Sequence, residues 1–338
     1  MSNLIVDIVV GLQAGDEGKG KVTHHLLKER SYTHCVRFNG GGNAGHTIYH
    51  EGKKFVTHLI PAGVFYNVKS IVGPGCVVNV ENFFKEIQML KDKGINTDGL
   101  VYVSENAHIV QEEHLEEDGK DTKIGTTRTG NGPAYRDKYN RKGVRAKDVE
   151  DLQPYLINFY HEMHGSDKPV EALFEGAQGF QLDVDWGDYP YVTSSHCTTA
   201  GAMLNGIPPR SVRDVWGVAK MYETYVGSKS FQPNERIFEQ IQKIGNEFGA
   251  TTGRARQCNW IDYEMLTRSI LINGANHVVF NKVDILREVD TWNLRLNSHS
   301  RSEMVFQNED QMRDYLIKSF PSSTLYFSDN PESFELCA

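Results

Sequence analysis

The run Ile5-Val-Asp-Ile-Val-Val10 stops at Gly11, and Gly15-Asp-Glu-Gly-Lys-Gly-Lys21 follows within a few residues. A short apolar run rich in β-branched residues predicts a buried strand. Gly15-x-x-x-x-Gly20-Lys21 has the spacing of a phosphate-binding loop, in which glycines let backbone N–H groups turn toward phosphate oxygens. A helix after the loop adds its positive end. Val22 stands where Ser or Thr would hold magnesium in such a loop. Lys19 and Lys21 supply positive charge. Asp16 and Glu17 repel phosphate, unless a magnesium ion sits between them or Asp16 takes a proton from a substrate. The bland alternative is a turn with surface charges. The strand before the loop and the paired lysines argue against it.

Further short apolar runs read as buried parallel strands: Ser70–Val72, Leu100–Val103, Ala172–Phe174, Val215–Ala219 and His277–Phe280. Helical patterns over Val80–Lys91 and Tyr263–Asn273 lie between them. Alternating strands and helices predict an α/β fold: a central, mostly parallel β-sheet flanked by helices, with a P-loop-like phosphate site. Ligands in such sheets bind at the carboxyl ends of strands. The polar stretch Glu112–Arg145 predicts surface loops and short helices. No linker divides the chain, so residues 1–338 are expected to form a single domain.

A net charge of −8 over 338 residues makes general nucleic-acid binding a poor expectation. Any anionic ligand must be held by local basic residues. The five cysteines are scattered and no pair has metal-ligand spacing, which predicts reduced thiols in the cytoplasm. The N-terminus runs straight from Met-Ser-Asn into a strand, so no leader is expected. No apolar run approaches the ~20 residues that span a bilayer, so no membrane partner is expected.

The loop GDEGKGK resembles the signature of adenylosuccinate synthetase, and other segments agree in order. Asn43-Ala44-Gly45-His46-Thr47 looks like the family's second motif, followed by His58-Leu59-Ile60-Pro61. Ile124-Gly125-Thr126-Thr127, Gly132-Pro133-Ala134-Tyr135 and Arg141 resemble the next block. Glu175–Gly179, Tyr189–Ser195 and Ala250–Arg256 match later ones, and Asn281-Lys282-Val283-Asp284 looks like the guanine-reading motif. The residues after 285 match poorly, and family members are usually longer.

The resemblance implies a ligase that joins L-aspartate to IMP, dependent on GTP and Mg2+. Phosphorylating O6 of the base makes a leaving group that the aspartate amine displaces. Asp16 is the implied base at N1 and a magnesium ligand, together with the carbonyl of Gly45. His46 is the implied acid toward the transferring phosphoryl group, and Gln178 bonds O6. The implied GTP contacts are Gly15, Glu17, Gly18, Lys19, Gly20, Lys21, Gly45, His46, Thr47, Arg256, Lys282 and Asp284. For IMP they are Asp16, Lys19, Asn43, Ala44, Gly45, His46, Thr127, Arg141, Gln178, Thr193 and Arg254. For aspartate they are Ala250, Thr251, Thr252, Gly253, Arg254 and Arg256. Arginine suits this last task, because its guanidinium can fork onto a carboxylate. Asp284 suits guanine, because its carboxylate accepts from N1–H and the 2-amino group. Arg141 matches an arginine lent across a dimer interface to the IMP phosphate, which implies a homodimer.

Four departures from the family pattern touch the nucleotide site. Ala14 stands for Trp, Arg128-Thr129 for Gly-Arg, His196-Cys197 for a single Asn, and Tyr225 for Arg. One alternative is a related synthase that takes dGMP in place of IMP; the retained Asp16 favours IMP. A GTP-hydrolysing switch is a second, but it leaves Thr251-Thr252-Gly253-Arg254 and Gln178 without a role.

Overall fold

Residues 4–249, 253–297, 302–330 and 335–336 are described by a computed structural model. Among them the main sheet contains β1 (Leu4–Gly11), β2 (His34–Arg37), β3 (Lys69–Val72), β4 (Val101–Ser104), β5 (Leu156–Ile157), β6 (Val170–Glu175), β7 (Val212–Lys220), β8 (His277–Asn281), β9 (Thr324–Phe327) and β10 (Glu335–Leu336). Their order is β10-β9-β8-β7-β1-β6-β2-β3-β4-β5. The first nine pair in parallel, and β10 pairs antiparallel with β9. The expected strands are all present, and β2, β5, β9 and β10 join them unexpected from the sequence.

Strand β1 sits inside the sheet between β6 and β7, which accounts for its near-continuous apolar sequence. Its side chains alternate between faces. Val6, Ile8 and Val10 join one apolar cluster with Phe174 and Phe280, and Val9 joins another with Leu173 and Val279. The second cluster takes Val22, Leu26 and Leu27 of α1 (Lys19–Glu29) and Phe83, Ile87 and Leu90 of α2 (Val80–Asp92). The first takes Leu266 and Ile270 of the helix Tyr263–Asn273. Helices therefore cover both faces. Asp7 interrupts the run but is not left bare, because Arg30, Arg213 and the Tyr32 hydroxyl all donate to its carboxylate. The stretch Glu112–Arg145 forms two short helices, Glu112–Gly119 and Asn131–Tyr139, joined by loops.

Chain leaving the carboxyl ends of β1, β6, β7, β8 and β9 lines one cavity of about 1000 Å3. Among the described residues, no helix is long and apolar enough to cross a membrane.

Candidate active site

After β1 the chain passes through left-handed backbone at Gly15 (φ 89°), Asp16 (φ 59°) and Gly18 (φ 98°). Glycine occupies such φ values without steric strain. The turn feeds directly into α1, whose first residues Lys19 and Gly20 line the cavity. Glu17 is 1% exposed, and its carboxylate accepts from the N–H groups of Gln13 (3.2 Å) and Gly15 (2.9 Å) and from Lys19 Nζ (2.6 Å). The Glu17 carboxylate thus braces the loop from within. A Cβ at Gly179 would fall 2.3 Å from Glu17 Oε1, so the braced carboxylate needs glycine there.

Asp16, in contrast, is exposed at the cavity. Its Oδ2 lies 2.8 Å from Arg256 Nε. Arg256 also donates from Nη1 to Glu247, a fully buried carboxylate. Glu247 accepts the Tyr222 hydroxyl at 2.5 Å, and Lys220 Nζ lies 3.4 Å from both its oxygens. Burial would raise the pKa of Glu247, but Lys220, Arg256 and Tyr222 more than offset it and hold it at about 2. Burial lowers the pKa of Lys220 despite Glu247. Charges thus alternate along Lys220, Glu247, Arg256 and Asp16. Sequence reasoning missed Lys220, Tyr222 and Glu247, which carry no local motif.

His46 lines the cavity but is only 6% exposed. Its Nδ1 donates to Glu175, and its Nε2 accepts from Arg37 Nη1 at 3.0 Å. Burial and the Arg37 charge lower its pKa to about 4, so the ring is neutral at pH 7. The expected bond to a phosphoryl group is not made available here, because both ring nitrogens face inward partners.

Gln178, with φ 57°, reaches across to Asn43 Oδ1 through its Nε2 at 2.9 Å. Ala44, Gly45, Thr47 and Thr193 line the same cavity. The Ala44 carbonyl accepts from His58 Nδ1 at 2.8 Å. Thr127 and Thr129 share a hydrogen bond of 3.0 Å beside Asn131. Arg254 donates to the carbonyls of Gly125 (3.1 Å) and Thr126 (3.3 Å), closing one wall. Gly253 adopts φ 66°, and Ala250, Thr251 and Thr252 lie outside the described residues. Arg141 is exposed and does not line this cavity.

At the far end, Lys282 donates to the Gly245 carbonyl (3.1 Å), and Asp284 lies in the first turn of the helix Val283–Val289. Lys21 was expected beside phosphate. Its amine instead donates to Asn281 Oδ1 (2.9 Å), the Asn330 carbonyl (2.6 Å) and the Ser328 hydroxyl. Burial brings its pKa down to about 8. Lys21 ties the glycine loop to β8 and to the chain after β9.

The family profile described as Adenylosuccinate synthetase matches residues 8–156 and 149–305. The chain belongs to the adenylosuccinate synthetase family. The adenylosuccinate synthetase of Halothermothrix orenii is 39% identical over 335 residues, covering 82% of this chain and 77% of its own length. That of Tropheryma whipplei is 39% identical over 338 residues, covering 84% and 78%. The fully ligated adenylosuccinate synthetase of Plasmodium falciparum superposes with a TM-score of 0.86 at 25% identity, covering both chains entirely. The succinoaminodeoxyadenylate synthetase of cyanophage S-2L, bound to dGMP and dATP as an energy donor, shares the fold with a TM-score of 0.78 at 20% identity, covering 98% and 95%. As a member of the adenylosuccinate synthetase family, the chain is a ligase forming carbon–nitrogen bonds.

Three of the departures from the family pattern have a physical account. Ala14 and Tyr225 sit in one small apolar cluster with Phe231, Leu182 and Tyr191, so the tyrosine fills space beside the alanine. The pair His196-Cys197 is secured by Asp183. Its Oδ2 accepts from Cys197 N–H (2.6 Å) and Thr198 N–H (3.3 Å), and its Oδ1 from Asp185 and Trp186 N–H. Asp183, Asp185 and His196 offer ligand atoms within 4.8 Å of one another, yet the Asp183 oxygens are already taken by these amides.

Proposed function

We propose that the chain ligates L-aspartate to IMP, coupled to GTP hydrolysis, giving adenylosuccinate, GDP and phosphate. The convergence of an exposed Asp16, a glycine loop at a helix N-terminus, Gln178, Arg254 and the Asn281–Asp284 turn on one cavity carries this reading. At about 1000 Å3 the cavity has room for more than one small ligand.

Asp16 takes the N1 proton of IMP, which raises electron density at O6. Gln178 donates to O6 and orients it. O6 attacks the γ-phosphorus of GTP, and GDP departs. The aspartate amine then adds at C6, phosphate leaves with the former O6, and the amine loses a proton. Aspartate is a weak base, so Asp16 works by position. A bond from His46 to the transferring phosphoryl group requires the ring to leave its partners Arg37 and Glu175. The Asp16 carboxylate and the Gly45 carbonyl, both on the cavity, are the oxygen donors a hard cation prefers, and they fit Mg2+. When bound, Mg2+ neutralises phosphate charge.

The loop Gly15–Gly20, Thr47 and Arg256 hold the phosphates, and Asp284 reads guanine beneath the Lys282 stem. Ala250–Gly253 with Arg254 hold aspartate. Asn43, Thr127 and Thr193 contact the nucleotide. Arg141, which does not line its own cavity, serves a second subunit's IMP in a homodimer. Buried, unpaired Cys35, Cys76, Cys197 and Cys258 suit a cytoplasmic setting. The test is GTP turnover measured with IMP and aspartate present or omitted. Turnover that needs both supports the ligase, and equal turnover without them refutes it.

A further inference from the structure

We propose that Glu247, held by Lys220 and Tyr222, is a positioning residue that sets the Arg256 guanidinium between Asp16 and the incoming phosphates. The proposal rests on the ligase reading above. Arg256 bridges two carboxylates, and its two ends differ. Glu247 is fully buried and gains the Tyr222 hydroxyl and the Lys220 ammonium. The Asp16 side chain is 30% exposed and open to water. Taking a partner from a buried carboxylate is strongly unfavourable, whereas an exposed ion pair opens at little cost. The guanidinium therefore stays on Glu247. It releases Asp16 when phosphate competes for it, and Asp16 is then free for IMP and for the cation.

The backbone supports a fixed anchor. Arg256 N–H donates to the Glu247 carbonyl at 2.9 Å, and Gly249 N–H donates to the Arg254 carbonyl at 2.8 Å. Both bonds close the base of the loop proposed to hold aspartate. Lys220 is fixed in turn. The Gln13 side chain accepts from its N–H at 2.9 Å and donates to its carbonyl at 3.0 Å. Gln13 belongs to the same loop as Asp16, so the anchor and its target share one frame.

A double-mutant cycle of Glu247→Gln and Arg256→Ala tests this. It is read on kcat and KM for adenylosuccinate formation, and separately on binding of a fluorescent GTP analogue to the chain alone. With Arg256 present, Glu247→Gln should cost about tenfold or more in kcat/KM and in nucleotide affinity. In the Arg256→Ala background it should cost less than about twofold, because the partner it positions is gone. Equal losses in both backgrounds would show a merely structural role and overturn the proposal. No product from the unaltered chain, with the binding cycle still non-additive, overturns the ligase reading and leaves the positioning intact. A chain that binds no guanine nucleotide overturns both. Should Glu247→Gln fail to fold, Tyr222→Phe goes through the same cycle under the same criteria.

Discussion

Asp16 Oδ2 meets Arg256 Nε at 2.8 Å, although the two residues lie 240 positions apart in the chain. This contact joins the glycine loop to the segment that carries Arg254. If Asp16 is the base at N1, Asp16→Asn preserves shape and removes the acceptor of the proton. Steady-state assays should show kcat reduced by about 10²- to 10⁴-fold. An Asn variant with near-normal kcat would remove Asp16 from the chemistry.

The choice of energy donor rests on Asp284. Replacing it with Asn removes the paired acceptor for guanine and leaves an amide that mismatches it. Sites built to bond a substrate group discriminate strongly for that reason. GTP use should fall steeply in Asp284→Asn, while xanthosine triphosphate, whose C2 oxygen accepts from the new amide, gains. Unchanged GTP kinetics would place guanine recognition elsewhere.

The purine acceptor is set by the same Asp16. IMP carries only hydrogen at C2, so the carboxylate can lie in the base plane against N1–H. A 2-amino group forces the base to shift and moves O6 from the phosphoryl group. A displacement of ~1 Å can cost about 10²-fold, so IMP should be used at least roughly tenfold better than GMP or dGMP by kcat/KM. Mass analysis of products from equal IMP and dGMP decides, and a dominant 2-amino product would reverse the assignment.

Asp183 should matter for stability rather than turnover. Its two oxygens accept from four backbone N–H groups around the His196-Cys197 pair. Asp183→Ala leaves the buried N–H groups of Cys197 and Thr198 unsatisfied, at about 1–3 kcal/mol for each that finds no water. Urea unfolding should show a loss of roughly 3 kcal/mol or more. A midpoint within error of the unaltered chain would mean that water replaces the carboxylate freely.

Acid sensitivity should include a share from His108. It is buried, and burial together with Lys138 and Arg145 lowers its pKa from 6.5 to about 4. Between those values the unfolded chain binds the proton and the folded chain does not, so stability falls as pH drops from about 6.5 to 4. Melting temperatures across this window should fall less steeply in His108→Gln. An unchanged slope would assign the sensitivity to other groups.

What the sequence revealed follows from how each feature is encoded. The strand before Gly11 is written in its own β-branched residues, and the loop after it in glycine spacing. Both are local signals. Strand β2 reads His-Cys-Val-Arg, so its burial depends on the ionic partners of Arg37 and His34 rather than on apolar periodicity. Strand β9 lies beyond the segments that resemble the family. The inward turn of Glu17, the reach of Lys21 to Ser328 and the Lys220–Glu247–Arg256 chain are tertiary pairings. No spacing rule joins their members.

The most direct test of the account follows one oxygen atom. IMP labelled with 18O at O6 is incubated with GTP, Mg2+ and aspartate, and the phosphate and nucleotide products are weighed by mass spectrometry. Transfer of the phosphoryl group to O6 predicts one 18O in each phosphate released and an unlabelled succinyl product at C6. Unlabelled phosphate, or phosphate formed equally without IMP, would contradict the account.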